Sequence, residues 1–285
     1  MALTINTNIS SIVAQRNLTN ATGSLNQAIE RMTTGYKINH AGDNAAGYSI
    51  ARNWETQLGS LDVAADNAAT GADMLTTLED TYALVSSHLQ RVRDLTEQAA
   101  NGTYGEDSLE AIQAEITARL DEVDRIAANC EFNGLKMMDG SINNNISLQV
   151  GLYSGTDSQI TLDATLFAKA DITTLFSEDK ADVASKCAGL TTGTTAASML
   201  STIDDVIKEL SGRVTTLGAA QNRIESAIES IGVQSENITS SLSTLRDADI
   251  AEESSNFIQS QILQQAAATL LSTANQTPSI ALNLL

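Results

Sequence analysis

The sequence predicts a mainly α-helical chain: an elongated antiparallel helical bundle or coiled coil with a small β-hairpin region in the middle of the chain. Three observations carry this expectation. Positions 203, 207, 210, 214, 217, 221, 224, 228, 231, 235, 238, 242 and 245 step by four and three without a slip, and all but Gln221 and Ser235 are Ile, Leu or Val. Such spacing keeps one narrow stripe of a helix turned towards a partner helix. The single proline, Pro278, lies near the C-terminus, so nothing before it breaks a helix in the usual way. Aromatic residues make up 4% of the chain against 42% hydrophobic residues, which suits a thin bundle of Ala, Ile and Leu better than a thick globular core.

A helix over 203–245 would be about 65 Å long at ~1.5 Å per residue. With one apolar edge it is not stable alone, so the rest of the chain must supply partners. Residues 5–36 read as a moderately amphipathic helix in which Leu18, Leu25, Ile29, Met32 and Tyr36 form one stripe, and Ile5, Ile9 and Ile12 an offset one. The turn-rich stretch 37–47 follows Gly35, with Asp43 or Asn44 available to cap the next helix. From 54 to 100 the stripe runs through Leu58, Leu61, Ala65, Ala68, Ala72 and Leu75. An extra step of three then shifts it to Leu78, Tyr82, Val85, Leu89, Val92, Thr96 and Ala99. A shift of that size overwinds a coiled coil locally without ending it. Asn101 to Gly105 break the pattern, Asp107 or Ser108 can cap, and Leu109, Ile112, Ile116, Leu120 and Val123 carry a helix to about Asn129. These two helices are the expected partners of the 203–245 seam in one bundle.

Residues 131–200 differ. Phe132-Asn133-Gly134 and Asp139-Gly140 are turn signals, and 146–150 and 159–162 alternate like half-buried strands of a small hairpin. The stretch 171–188 fits a short helix, and 189–195 a flexible turn. After Leu245 an acidic, hinge-like stretch leads to a last helix with Phe257, Ile258, Ile262, Leu263, Leu270 and Leu271, expected to end before Pro278.

Charge is unevenly distributed. The net charge is −19, which argues against nucleic-acid binding, because phosphate contact needs clusters of Lys and Arg. Residues 1–29 carry one charged side chain, Arg16, and residues 254–285 carry none. Ends this poor in charge suit burial in an assembly; disordered polar tails in the free subunit are the blander alternative. Gln264, Gln265, Ser272 and Asn275 interrupt the apolar runs well short of the roughly 20 residues a membrane span needs, so no membrane insertion is expected. The first residues show neither a positive region nor an apolar run of a secretory signal.

Nothing in the sequence makes a case for catalysis. His40 and His88 have no metal-ligand spacing around them, and no phosphate-binding loop or nucleophile elbow occurs. Neither a cofactor nor a metal is expected. Cys130 and Cys187 lie 57 residues apart, and without a secretory signal or a Cys-x-x-Cys motif the unlinked state is favoured over a disulfide.

Both flanks carry blocks of residues that resemble bacterial flagellin, the subunit of the flagellar filament. At the N-terminal side these are 5–8, 24–35, Ile38-Asn39, 43–47, 89–95, 100–103 and 132–134. At the C-terminal side they are 219–223, 247–253, 274–278 and Leu284-Leu285. The resemblance covers about 1–165 and 200–285; residues 141–200 leave no room for the large outer domains of longer members. It implies three regions: 1–40 and 250–285 as a terminal helical inner-tube domain, disordered in the monomer; 41–140 and 200–249 as a rod-shaped helical bundle; and 141–199 as a short variable region with the hairpin.

The resemblance further implies a helical homopolymer with an extracellular place in the filament, and export through the flagellar secretion channel without a cleaved signal peptide. Its implied partners are a chaperone for the C-terminal segment, the flagellar cap and hook-associated proteins, and the vertebrate Toll-like receptor 5. The receptor-binding positions carried over are Gln90, Arg91, Leu95, Glu115 and Arg119. The polymerisation residues are Leu18, Leu25, Ile29, Met32, Phe257, Ile258, Ile262, Leu263, Leu270 and Leu271. A hook–filament junction protein and a secreted coiled-coil adhesin are the alternatives; the motif blocks on both flanks favour the major subunit.

Overall fold

The computed structural model describes residues 7–190 and 196–283, the last seven of them by backbone alone. Expectations for Ile5 and Asn6, for 191–195 and for Leu284-Leu285 lie outside the described residues. Seven helices are found among the described residues: α1 Ile9–Thr34, α2 Ala45–Ala99, α3 Glu106–Asn129, α4 Ile172–Phe176, α5 Lys180–Cys187, α6 Ala196–Arg246 and α7 Ile250–Asn283. Two antiparallel hairpins accompany them, β1 Glu131–Phe132 with β2 Leu135–Lys136, and β3 Ile146–Gln149 with β4 Gln159–Leu162. The chain divides into two compact units, 1–58 with 236–285, and 59–235, so the divisions fall within α2 and α6.

In the unit built from the chain ends, α1 and α7 pair along their lengths. Their side-chain hydrogen bonds join Asn8 to Ala274, Thr22 to Gln264 and Arg31 to Glu253, which makes the pair antiparallel. Asn8 caps α1, its Oδ1 accepting from Ser11 N at 3.1 Å. Gly35 closes the helix in the left-handed conformation at φ 74°, its N–H returning to Arg31 O. The stretch expected to be hinge-like is tied down in this structure. Lys37 N donates to Arg246 O, Ala248 N donates to Gly35 O at 2.8 Å, and the Arg246 guanidinium stacks 4.1 Å over Tyr36 while pairing with Glu55. Asn44 is the residue that caps α2, accepting from Gly47 N at 3.0 Å. Asp43 instead accepts from His40 N and Asn39 N, and those backbone donors, His40 first, hold its carboxyl below the ordinary value.

In unit 59–235, α2 runs antiparallel to both α3 and α6. Arg91 meets Glu115 and Thr81 meets Cys130 on α3's side, while Glu79 meets Gln221 and Arg93 meets Asp204 on α6's side. The predicted seam of α6 packs as expected at Ile203, Leu210, Leu217, Ile224 and Ile231, all buried, with the alternate positions Ile207, Val214 and Gln221 half-buried and Ile228 exposed. On α2 the shifted stripe from Leu75 through Leu78, Tyr82, Val85, Leu89 and Val92 is buried throughout, whereas further back Ala64 is buried and Ala65 only half. Gly105, not Asp107 or Ser108, occupies the N-cap of α3, and Glu106 and Asp107 complement the helix dipole from the first turn.

The middle of the chain is part of this core. Leu162, Phe167, Ile172, Val183 and Cys187 sit in one cluster of buried residues with Leu75, Leu120 and Leu217. Tyr82 Oη donates to Leu166 O at 3.0 Å, and Arg213 donates to Ala168 O at 3.2 Å, pinning the turn after β4. Instead of one helix over 171–188 there are two. Asp171 caps α4 through Thr174 N, Ser177 ends it in the left-handed conformation at φ 56°, and Asp179 opens α5. Where the sequence shows only a turn signal a further hairpin forms, β1–β2. It closes through Asn133 and Gly134, whose φ angles of 49° and 79° suit the tight primed turn. The β3–β4 hairpin forms from the two expected stretches, pairing Ile146 with Leu162 and Gln149 with Gln159, and lies on α2, where a Cβ on Gly71 would come within 2.3 Å of Leu148 Cδ1. Both cysteines are buried and free.

Candidate assembly and receptor surfaces

The α1/α7 pair reverses the usual placement of side chains. Positions 14, 18, 21, 25, 28 and 32 of α1, and 253, 257, 260, 264, 267, 271 and 274 of α7, step by four and three. Along these seams the buried residues are small: Ala14, Ala21 and Ala28 on one helix, Ser260 and Ala267 on the other, with Leu18, Leu25, Met32, Phe257 and Leu271 half-buried between them. Large apolar side chains lie outside. Ile9, Ile12, Val13 and Ile29 of α1 and Ile258, Ile262, Leu263 and Leu270 of α7 are exposed, Leu270 by 63%. A groove of about 390 Å³ along the pair is lined by Ala14, Asn17, Ala21, Leu263, Ala267 and Leu270 among others.

The ten candidate polymerisation residues therefore divide. Leu18, Leu25, Met32, Phe257 and Leu271 pack within the pair, whereas Ile29, Ile258, Ile262, Leu263 and Leu270 face outwards. Sequence reasoning missed the buried alanines, because a side chain of one carbon hardly registers in a hydrophobic pattern. The signal that could have found them is their spacing of seven, Ala14-Ala21-Ala28.

On the other unit, four of the five candidate receptor residues come together. Arg91 Nη2 donates to Glu115 Oε1 at 2.9 Å and Arg91 Nε to the same oxygen at 3.1 Å. Arg119 Nη2 stands 3.8 Å from that oxygen, and Gln90 is exposed beside Arg91. The arrangement presents two guanidinium groups on one carboxylate across α2 and α3. It is solvated, so the ion pairs add little stability, about 0–1 kcal/mol each. Leu95 does not join them. It is 2% exposed and belongs to the hydrophobic core, three residues on from buried Val92 and next to buried Thr96. Arg93, also on the outward side, is taken up by Asp204 at 2.6 Å and Glu97 at 3.2 Å.

Among the described residues no group of three or more His, Cys, Asp or Glu side chains is placed to hold a metal ion. Nor is any helix among them long and apolar enough to cross a membrane.

These features, charge-poor helical ends with an apolar exterior and a helical bundle in the rest of the chain, have counterparts among known proteins. Residues 5–143 match the bacterial flagellin N-terminal helical region, and residues 200–285 match the bacterial flagellin C-terminal helical region. The chain is 34% identical over 281 residues to the flagellin of Halalkalibacterium halodurans and 33% identical over 301 residues to that of Bacillus subtilis, spanning 99% of both chains in each case. With the flagellar filament 33 kDa core protein of Treponema phagedenis it shares 30% identity over 298 residues, again 99% of each chain. A solved structure described as a flagellar hook-associated protein from Vibrio parahaemolyticus aligns with 72% of this chain and all of its own, with a TM-score of 0.59 and 14% identity, a likeness of fold alone. The chain belongs to the bacterial flagellin family and is a subunit of the flagellar filament.

Proposed function

We propose that the chain polymerises through its terminal helix pair, the outward Ile and Leu side chains of α1 and α7 being covered by neighbouring copies. One observation carries this reading: the pair buries alanine and serine and leaves Ile9, Ile12, Ile258, Ile262, Leu263 and Leu270 in solvent, on segments almost without charge. Contiguous apolar surface of this kind marks an interaction site. In this reading 1–40 and 250–285 line the inner tube of the filament, 41–140 and 200–249 form a rod-shaped helical bundle, and 141–199 adds a short variable region. The subunit is exported through the flagellum's own channel, handed over by a chaperone that holds the C-terminal segment. It is then added between cap and hook-associated proteins outside the cell.

A second surface follows from Gln90, Arg91, Glu115 and Arg119, offered together on one exposed face. We read it as the contact for Toll-like receptor 5, with Leu95 supporting it from the core. Electron microscopy of purified protein after adding salt or filament seeds tests the main reading. Long filaments are expected from the full chain and none from chains lacking 1–30 or 255–285. If the full chain caps seeds without elongating them, the hook–filament junction role takes its place.

A further inference from the structure

The core of the α1/α7 pair says little about its own register. Small side chains repeat every seven residues, Ala14, Ala21 and Ala28 against Ser260, Ala267 and Ala274, so a slide of one heptad re-forms contacts of the same kind. Such a slide would carry every outward side chain about 10 Å along the partner helix at ~1.5 Å per residue. The two helices hold five charged residues between them: Arg16, Glu30 and Arg31 on α1, Glu252 and Glu253 on α7.

Two of these face inwards at one end of the pair. Arg31 Nη1 donates to Glu253 Oε1 at 2.9 Å, and Glu253 is only 7% exposed, at the first position of the α7 seam. Arg31 is half-buried, its Nε buried without a hydrogen-bond partner, so one edge of this guanidinium is withdrawn from water. A slide in either direction strips Glu253 of Arg31 and leaves a buried carboxylate without a cation, held only by the long 3.5 Å bond from Asn256 Nδ2, a costly state. Any slipped register is penalised this way, whereas the alanine contacts are indifferent. A slip also breaks the Asn8–Ala274, Thr22–Gln264, Gly35–Ala248 and Lys37–Arg246 hydrogen bonds, but among these contacts only Arg31–Glu253 withdraws charge from water.

We infer that Arg31 and Glu253 set the register of the terminal pair and are thereby positioning residues for polymerisation, since register decides which apolar side chains meet a neighbour. This rests on the reading of the α1/α7 pair as the assembly element. The pair acts as a polar residue does at a single core position of a coiled coil, giving up stability for a unique alignment.

The test places a reporter disulfide at Thr22→Cys and Gln264→Cys, whose native side chains hydrogen-bond at 3.1 Å in the observed register. Cross-link yield, helix content and seeded elongation rate are compared in the reporter chain alone and with Arg31→Met, with Arg31→Met/Glu253→Leu, and with the swap Arg31→Glu/Glu253→Arg. The Arg31→Met chain should elongate at least roughly tenfold more slowly. The apolar double variant should keep its helix content yet lose most of the cross-link and of the elongation rate, which a merely stabilising contact would not cause. Recovery of both readouts is expected in the swap. Parent-like cross-linking and growth of the apolar double variant would overturn the inference, as would a swap no better than Arg31→Met alone. If the reporter chain cross-links but never elongates seeds, the assembly reading fails and the cross-link yields alone decide the register pair.

Discussion

Asn8 Nδ2 donates to the main-chain carbonyl of Ala274 at 2.7 Å, and Ala274 is the residue four positions before Pro278 within α7. A proline has no N–H to return to that carbonyl. The side chain of Asn8 thus does two jobs: its Oδ1 caps the first turn of α1, and its Nδ2 occupies the acceptor that Pro278 leaves open. Where α7 runs past the proline to Asn283 instead of ending before it, the acceptor that the proline leaves open is thereby satisfied.

Asn8→Ala should therefore remove a cap worth about 1 kcal/mol and also open the Ala274 carbonyl. In assembled filaments the midpoint of heat-induced depolymerisation should fall. Combining it with Pro278→Ala should recover part of the loss, because an alanine there restores the helical donor. Additive effects of the two substitutions would separate Asn8 from the proline.

Tyr82 buries its ring completely and spends its hydroxyl on Leu166 O. Removing the hydroxyl in Tyr82→Phe leaves a buried carbonyl short of a donor and should cost about 1–3 kcal/mol in urea unfolding of the full chain. A variant as stable as the parent would mean that Arg213, which reaches the neighbouring Ala168 carbonyl, satisfies the turn alone.

Leu95 and Arg91 separate stability from recognition. Leu95→Ala should destabilise by about 2–5 kcal/mol, as a buried leucine in a packed core does. Arg91→Ala should stay within about 1 kcal/mol of the parent, since its ion pair is solvated, yet weaken binding of purified monomer to the receptor. Undiminished binding by Arg91→Ala would remove the receptor surface.

Burial pushes the Cys187 thiol up to about 11 from an ordinary 9.0, with a bond to Thr96 opposing it, and burial likewise raises Cys130. In the unfolded chain the thiol ionises near its ordinary value while the folded chain keeps it protonated, so stability is retained below about 9 and declines as pH rises towards about 11. At pH 8 neither cysteine should react with a thiol reagent until the chain unfolds. Fast stoichiometric labelling of native protein would contradict this burial.

The seam of α6 is legible in the sequence because it is written in large side chains: Ile203, Leu210, Leu217 and Ile224 are buried where the spacing puts them. The same holds for α2 from Leu75 to Val92 and for the two strands of the β3–β4 hairpin. What escapes is written in small or polar residues. Ala14, Ala21 and Ala28 carry too little apolar surface to mark a seam. Ser177 splits 171–188 into two helices by a left-handed backbone that no periodicity reports. The family motif groups Leu95 with Gln90 and Arg91, although Leu95 is buried in the core beside Val92 and Thr96. Arg31 and Glu253 lie 222 residues apart, and only the folded pair brings them together.

On the proposed assembly, the exposed apolar side chains of the terminal pair are the surface between subunits. Ile262 is 60% exposed and is not part of the Arg31–Glu253 ion pair. Seeded elongation by the full-length Ile262→Glu chain, followed by light scattering and electron microscopy, measures that claim most directly. The variant's 59–235 unit should unfold at the parent's urea concentration while the chain fails to extend seeds. Filaments growing at the parent rate, with a glutamate at that position, would contradict it.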